Sequence, residues 1–261
     1  MNTTLKIVRY ELHDVLRSRS LVAYALFFLL ASEALLRFGD GAKAAVSLMN
    51  IVLLIIPLVS IVFSTMYLYG SREFTELLLA QPVQRRQLFV GQFLGLTLPL
   101  SAAFLLGIGA PLLFRFGSVG HDAVFLVLAA CGVALTFTFV AIAALITARV
   151  DDRLKGIGAA IGLWLGLTVL YDGLVMIGLT IFADYPLERP ALAAMIANPI
   201  DLARVLMLLR LDVSALMGYT GAVFERFFGS AGGAVLASLA LVMWTGVPLL
   251  LGARRFQRKD F

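Results

Sequence analysis

Six long apolar stretches, separated by short polar segments, dominate the hydrophobic pattern of this 261-residue chain. They run over Ser20–Leu36, Val46–Tyr69, Leu88–Phe114, Ala123–Ala148, Ile157–Ala183 and Gly233–Leu251. Each is near the ~20 residues that a helix needs to cross hydrocarbon. The pattern predicts an all-α integral membrane protein: a six-transmembrane-helix bundle forming a single transmembrane domain over residues 1–261. Ahead of the first span, residues 1–19 place Leu5, Val8, Leu12, Val15 and Leu16 on one helical stripe, with Lys6, Arg9, Glu11, His13, Asp14 and Arg17 elsewhere. That is the pattern of an amphipathic helix lying in the membrane interface. The polar residues that precede the first apolar run do not fit a cleavable signal, so the first span is expected to be retained.

Two polar segments have structure of their own. Residues 70–87, between the second and third spans, contain Ser71 followed by Arg72, Glu73, Phe74, Thr75, Glu76, Leu77, Leu78 and Leu79, then Pro82. Ser71 is a candidate cap, Glu73 sits favourably in the first turn, and Pro82 stops the helix. The result is a short helix that shows Phe74, Leu77 and Leu78 beside charges, which suits docking to a partner. Residues 184–232, between the last two spans, open a helix at Asn198-Pro199-Ile200-Asp201: Asn caps, Pro fits the first turn and Asp meets the dipole. Leu202, Val205, Leu206 and Leu209 then form a stripe with Arg204 and Arg210 off it, and the segment continues through Tyr219. Such a segment lies on the surface or dips back into it, as a cap, a gate or a partner platform.

Charge orients the bundle. Lys6, Arg9, Arg17, Arg19, Arg72, Arg85, Arg86, Arg149, Arg153, Lys155, Arg254, Arg255, Arg258 and Lys259 fall on one side. Only Arg37, Lys43, Arg115, Arg189, Arg204, Arg210 and Arg226 fall on the other. The richer side is the cytoplasmic one, which puts both termini in the cytoplasm. A hydrophobic share of 61% with 14% charged residues supports the same reading, since soluble domains carry about 25% charge. The net charge of +5 needs no nucleic acid to explain it, because the cations sit at span ends.

Inside the spans, Gly158, Gly162 and Gly166 repeat every four residues, as do Gly91 and Gly95. Small residues so spaced let helices approach closely within a bundle or a dimer. Pro57, Pro99, Pro111 and Pro248 fall in or near spans, where each removes a backbone donor. Glu33 and Asp172 are the carboxylates at membrane depth, with Tyr171 beside the latter. Intramembrane acids are functional candidates, here for a substrate path. No Lys or Arg lies deep in any span to partner Asp172, so a hydroxyl such as Tyr171 is its expected neighbour.

Catalytic motifs are absent: no phosphate-binding Gly-rich loop, no His-Glu-x-x-His and no Gly-x-Ser-x-Gly. No ATP site of its own is therefore expected, and no catalytic residue. The eight Met are dispersed, and His13, His121 and Cys131 do not cluster with them, so no metal site is expected either. Asp151 and Asp152 with Asp172 leave open an integral-membrane enzyme acting on a lipid-linked substrate. A third reading is a membrane scaffold for an extracytoplasmic partner.

The amphipathic start, six spans, the Arg72–Leu79 helix and the segment Asn198-Pro199-Ile200-Asp201-Leu202-Ala203-Arg204 together resemble a type-2 ABC exporter permease, most nearly the NosY-like group. The resemblance covers essentially the whole chain. It implies a dimeric permease that binds cytoplasmic ABC ATPase subunits through Arg72, Glu73, Phe74, Glu76, Leu77 and Leu78. ATP and Mg would be bound by those subunits. It further implies a possible periplasmic partner at the external segment and, for the NosY-like group, a copper- or sulfur-related cargo for a multi-copper enzyme such as nitrous oxide reductase.

Overall fold

The computed structural model describes residues 3–38, 41–114, 122–182, 188–209 and 231–259. They are helical throughout, with no strand among the described residues. Six helices are long and apolar enough to cross a membrane. These are α2 (Arg19–Phe38), α3 (Gly41–Gly70), α5 (Arg85–Phe114), α6 (Asp122–Arg149), the composite α7–α8, and α11 (Ala231–Gln257). In the composite, α7 (Arg153–Leu165) passes through a π-helical turn at Gly166–Leu170 into α8 (Tyr171–Ile181). Shorter helices are α1 (Thr3–Leu16), α4 (Arg72–Leu79), α9 (Glu188–Ile196) and α10 (Pro199–Leu208).

α6 is the axis of the bundle. Its residues Val124–Ala148 carry no charged side chain, as befits a helix enclosed by others, and it packs against α3, α5, α10 and α11. Leu128, Leu135 and Phe139 of α6 are buried with Ile56 of α3, Phe104 of α5 and Phe28 of α2. α2 lies against α5, and Ser32 donates across that contact to the Gly107 carbonyl at 3.0 Å. Thr138 and Thr245 share a hydrogen bond of 2.8 Å between α6 and α11.

α1 lies along α5 by a face that shares only part of the predicted stripe, Val15 being buried and Val8 and Leu12 half-buried. The buried seam is Ile7, Glu11 and Val15, while Leu5 and Leu16 are exposed. The seam is narrow because Gly95 of α5 admits it: a Cβ there would sit 2.3 Å from Glu11 Cβ. The outward leucines leave a second apolar edge, consistent with a helix whose other side meets lipid.

The fifth span is the least embedded. It packs on α3 and touches α6, yet most of its apolar side chains, among them Ile161, Leu165, Leu174, Met176 and Ile181, are exposed. Two attachments secure its first half. Tyr69 donates to the Val150 carbonyl at 2.7 Å, in space that Gly156 leaves by having no side chain. Trp164 donates to the Leu54 carbonyl at 3.3 Å. Gly158, Gly162 and Gly166 meet nothing within 4 Å of an added Cβ. Among the described residues, nothing packs closely on them, whereas Gly95 does serve helix approach as expected.

This contrast sets a prediction. Gly95→Ala overpacks the α1 seam and is expected to cost about 1–3 kcal/mol, whereas Gly162→Ala relieves a helix-interior glycine and should gain up to about 1 kcal/mol. Thermal unfolding of the two purified variants, against wild type, checks the opposite signs.

Candidate functional site

One end of the bundle gathers most of the basic segments. α4 is fastened there from three directions. Phe74 stacks on Tyr10 of α1 with ring centroids 4.9 Å apart. Thr75 is buried, donates to the Ser71 carbonyl at 2.9 Å and accepts from Gln92 Nε2 of α5 at 2.7 Å. Arg72 pairs with Glu76 at 3.3 Å and, through Nη1, donates to the Asp151 carbonyl in the turn before α7. Leu78 packs against a small core that includes Ile7, Leu88 and Phe256. Ser71 precedes the helix without a side-chain cap bond: its backbone N–H continues from α3 to the Tyr67 carbonyl instead.

The expected apolar knob is accordingly smaller than the sequence implied. Phe74 and Leu78 are half-buried against their own chain, and Leu77, at 67% exposure, is the large apolar side chain of α4 that faces outward. Glu73 and Glu76 flank it as exposed charges. Beneath the helix is a crevice lined by Tyr69, Arg72, Thr75, Gln92, Phe93 and Lys259.

The C-terminal segment ties this end together. Lys259 Nζ lies 2.7 Å from Asp151 Oδ1 and donates to the Thr147 carbonyl at 3.1 Å. Arg85 donates to the carbonyls of Gln257, at 3.1 Å, and Lys259, at 2.5 Å. The Lys259 hydrogen bond, then its charge, holds Asp151 below the usual carboxylate range. What this pair contributes is present above the ordinary carboxylate pKa and is lost only as pH falls through the lowered value. Asp152 caps α7, accepting from the Lys155 backbone N–H at 2.8 Å.

The second constellation lies where α9 and α10 meet the fifth span. α9 and α10 form a bent pair at 107°. α10 is no surface helix: Ile200, Leu202, Ala203, Val205, Met207 and Leu208 are all buried. It packs against α6, α11 and α3, so the segment dips back into the bundle. Asn198 caps α10 as its sequence predicts, accepting from the Ile200 N–H at 3.0 Å, with Pro199 in the first turn. Its amide does more, donating to the Leu167 carbonyl within the π turn at 2.8 Å and to Asp201 Oδ2 at 3.0 Å. A π turn displaces carbonyls from the regular ladder, and Asn198 takes one of them.

Arg204 corrects the reading of Asp172. Its Nη1 bonds Asp172 Oδ2 at 2.9 Å and Asp201 Oδ1 at 2.8 Å. A cation does reach the intramembrane acid, but it comes from the re-entrant segment rather than from a span, so span-by-span inspection missed it. Tyr171 donates instead to the Ala194 carbonyl of α9 at 2.6 Å, and Trp244 of α11 donates to the Ile196 carbonyl at 3.1 Å. Glu33 stands apart on α2, whose neighbours are α5, α3 and α1. Arg210 and Tyr219 lie outside the described residues.

Three acids weighed for catalysis thus have separate duties. Asp151 is in an ion pair, Asp152 is a helix cap, and Asp172 sits nearly a whole span away bound to Arg204. Among the described residues no group of three or more His, Cys, Asp or Glu could hold a metal ion.

The latch is testable by unequal damage. Arg204→Met leaves two carboxylates without their shared cation and is expected to destabilise by about 3–5 kcal/mol. Asn198→Ala removes a cap and orphans a carbonyl, for about 1–3 kcal/mol. In a double-mutant cycle Arg204→Met and Asp172→Asn should couple, which unfolding of the four proteins in detergent would measure.

Comparison with known proteins matches this architecture. Residues 28–261 match the family described as ABC-2 family transporter protein. The chain is 30% identical to a Pseudomonas aeruginosa protein named "Probable ABC transporter permease protein NosY", covering 97% of each sequence. It is 27% identical to a protein of the same name from Stutzerimonas stutzeri, covering 99% of each. With six spans, the fastened short helix at the basic end and a re-entrant segment opposite, the chain belongs to the ABC-2 transporter family, as a multi-pass, NosY-like permease subunit.

Proposed function

We propose that this chain works as a homodimeric exporter permease of the inner membrane, with both termini cytoplasmic, driven by ABC ATPase subunits that dock at α4. The observation that carries the reading is the mounting of α4. It is fixed to α1, α5 and the α6–α7 turn, yet turns Leu77 outward between Glu73 and Glu76. A rigid mount with one exposed apolar contact transmits a push, because a packed element moves as a body. Glu73, Glu76 and Leu77 meet the ATPase, and Arg72, Phe74 and Leu78 carry its motion inward. ATP and Mg are bound by the partner.

Closure between two permease copies runs along the fifth span, where Gly158, Gly162 and Gly166 are open and the surrounding side chains are apolar. Two such spans face to face would place Asp172, Tyr171 and the Arg204 latch beside the path between subunits, with Glu33 set back from it. The segment bearing Asn198, Pro199, Asp201 and Arg204, with Arg210 and Tyr219 beyond it, forms the outer gate and the surface for a periplasmic partner. The kinship with proteins named NosY supports a cargo used in the maturation of a multi-copper enzyme such as nitrous oxide reductase. The separation of Asp151, Asp152 and Asp172 removes the geometric basis for a lipid-acting enzyme.

Co-purification tests the ATPase surface. The wild type should retain a stoichiometric ATPase, and Leu77→Glu should weaken it by about thirtyfold or more, the scale of a hot-spot contact of 2 kcal/mol. Retention by Leu77→Glu would move the docking surface elsewhere, and no binding by wild type would end the ATPase pairing. Separately, Gly158→Leu with Gly162→Leu should convert dimer to monomer in native mass spectrometry while the helical circular dichroism of the chain is kept.

A further inference from the structure

Tyr67, in the last turns of α3, sits between two carboxyl groups of α1. Its hydroxyl oxygen is 2.5 Å from Glu11 Oε2 and 2.8 Å from Asp14 Oδ2. Both separations are hydrogen-bond distances, but a phenol carries one proton and can donate it once. With both acids ionised, one contact would be a hydrogen bond and the other a bare approach of two oxygens. A second proton resolves the geometry. If one carboxyl is protonated it donates to the Tyr67 oxygen, and the phenol proton goes to the other.

The surroundings decide which acid carries it. Asp14 is exposed and can keep its charge in water. Glu11 is 1% exposed, and its Oε1 is buried with no hydrogen-bond partner. An ionised carboxylate so placed is costly unless paired, and among the described residues no cation is placed to pair with it. The ionisable groups that act on Glu11 are Tyr67 of α3 and Asp14 of its own helix. α5, which it packs against at Gly95, has no ionisable side chain from Gln87 to Phe114. Arg72 of α4 is engaged with Glu76 and Asp151, and Arg19 at the start of α2 is exposed.

We infer that Glu11, Tyr67 and Asp14 form a proton-binding site, in which the chain Glu11–COOH to Tyr67 to Asp14 carboxylate holds α1 against the bundle. Loss of that proton leaves a buried, unpaired charge, which α1 escapes by lifting from α5. Tyr10 of α1 stacks on Phe74 of α4, so lifting removes one of the three fastenings of the short helix. The site thereby links proton occupancy to the mounting of α4, and it stands whether or not an ATPase docks there.

The sign follows from burial, which raises the Glu11 carboxyl above the ordinary range, opposed by the Tyr67 hydrogen bond and aided by Asp14. Docking is strongest below the ordinary carboxylate pKa, weakens by at most about tenfold per pH unit above it, and levels off beyond the raised value. Glu11→Gln keeps the shape and a donor but cannot ionise.

Infrared spectra of the full-length chain in lipid nanodiscs, wild type minus Glu11→Gln across a pH titration, should show a protonated-carboxyl carbonyl band that persists to higher pH than that of an exposed carboxyl and that Asp14→Asn retains. Hydrogen exchange over Thr3–Leu16, corrected for intrinsic rate, should lose protection in wild type as pH rises and stay level in Glu11→Gln. The absence of the difference band, or the same loss of α1 protection in Glu11→Gln as in wild type, would overturn the inference.

Discussion

A side-chain amide hydrogen-bonded to a main-chain carbonyl inside a membrane helix is the contact on which the half of this protein away from its basic end depends. Lipid offers no partners, so backbone polar groups at membrane depth must be satisfied within the protein. The fifth span breaks its regular ladder at Gly166–Leu170, and Asn198 answers the break at Leu167. The same residue starts α10, orients Asp201 and so sets the geometry in which Arg204 meets Asp172. Without Asn198 the Leu167 carbonyl would lose its side-chain donor and the Ile200 N–H of α10 its cap. Through it the irregular turn and the re-entrant helix satisfy one another.

The two ends of the molecule solve different problems. At the basic end, the pairs of Arg72 with Glu76 and Asp151 are partly exposed, where each is worth little alone, while a mostly buried Lys259 reaches out to the exposed Asp151. Their use is to join segments far apart in sequence around α4, with the buried Thr75–Gln92 bond at the centre. At the far end the network is half-buried and its parts are interdependent, since one guanidinium serves two carboxylates. Between these ends the fifth span is attached along one side only, leaving a broad apolar face without a neighbour among the described residues. A surface of that kind is stable in lipid or against another helix, and it is free to exchange one for the other.

The spans were legible because their runs of apolar residues exceed what any soluble element contains, and the boundaries moved only by a turn or less at most ends. The placement of α10 was less so. Asn198-Pro199-Ile200-Asp201 reads as a helix start wherever the helix lies, and the stripe of Leu202, Val205, Leu206 and Leu209 drew attention from Ile200, Ala203 and Met207 on its other sides. Apolar residues on the sides beyond the stripe were the signal for burial, the two charges of the helix, Asp201 and Arg204, being paired with each other. Phe74 looked exposed because its cover, Tyr10, belongs to a helix over sixty residues earlier. Asp172 looked unpartnered because Arg204 arrives by a fold-back that periodicity does not describe. Glu11 stood off the predicted stripe, although Ile7 and Val15 one turn to either side mark the seam it shares. Local pattern sees elements, and it is blind to pairings that only the closed bundle creates.

The hold of Lys259 and Arg85 on the α6–α7 turn and the tail has a consequence for biosynthesis. Lys259 is translated after every residue that it fastens, so the turn bearing Asp151 and the crevice under α4 stay incomplete while the preceding spans enter the bilayer. Insertion can proceed helix by helix, but the basic end closes last, once the sixth span has delivered its lysine. A truncated chain would therefore reach the membrane with its hydrophobic spans in place and this assembly step unfinished.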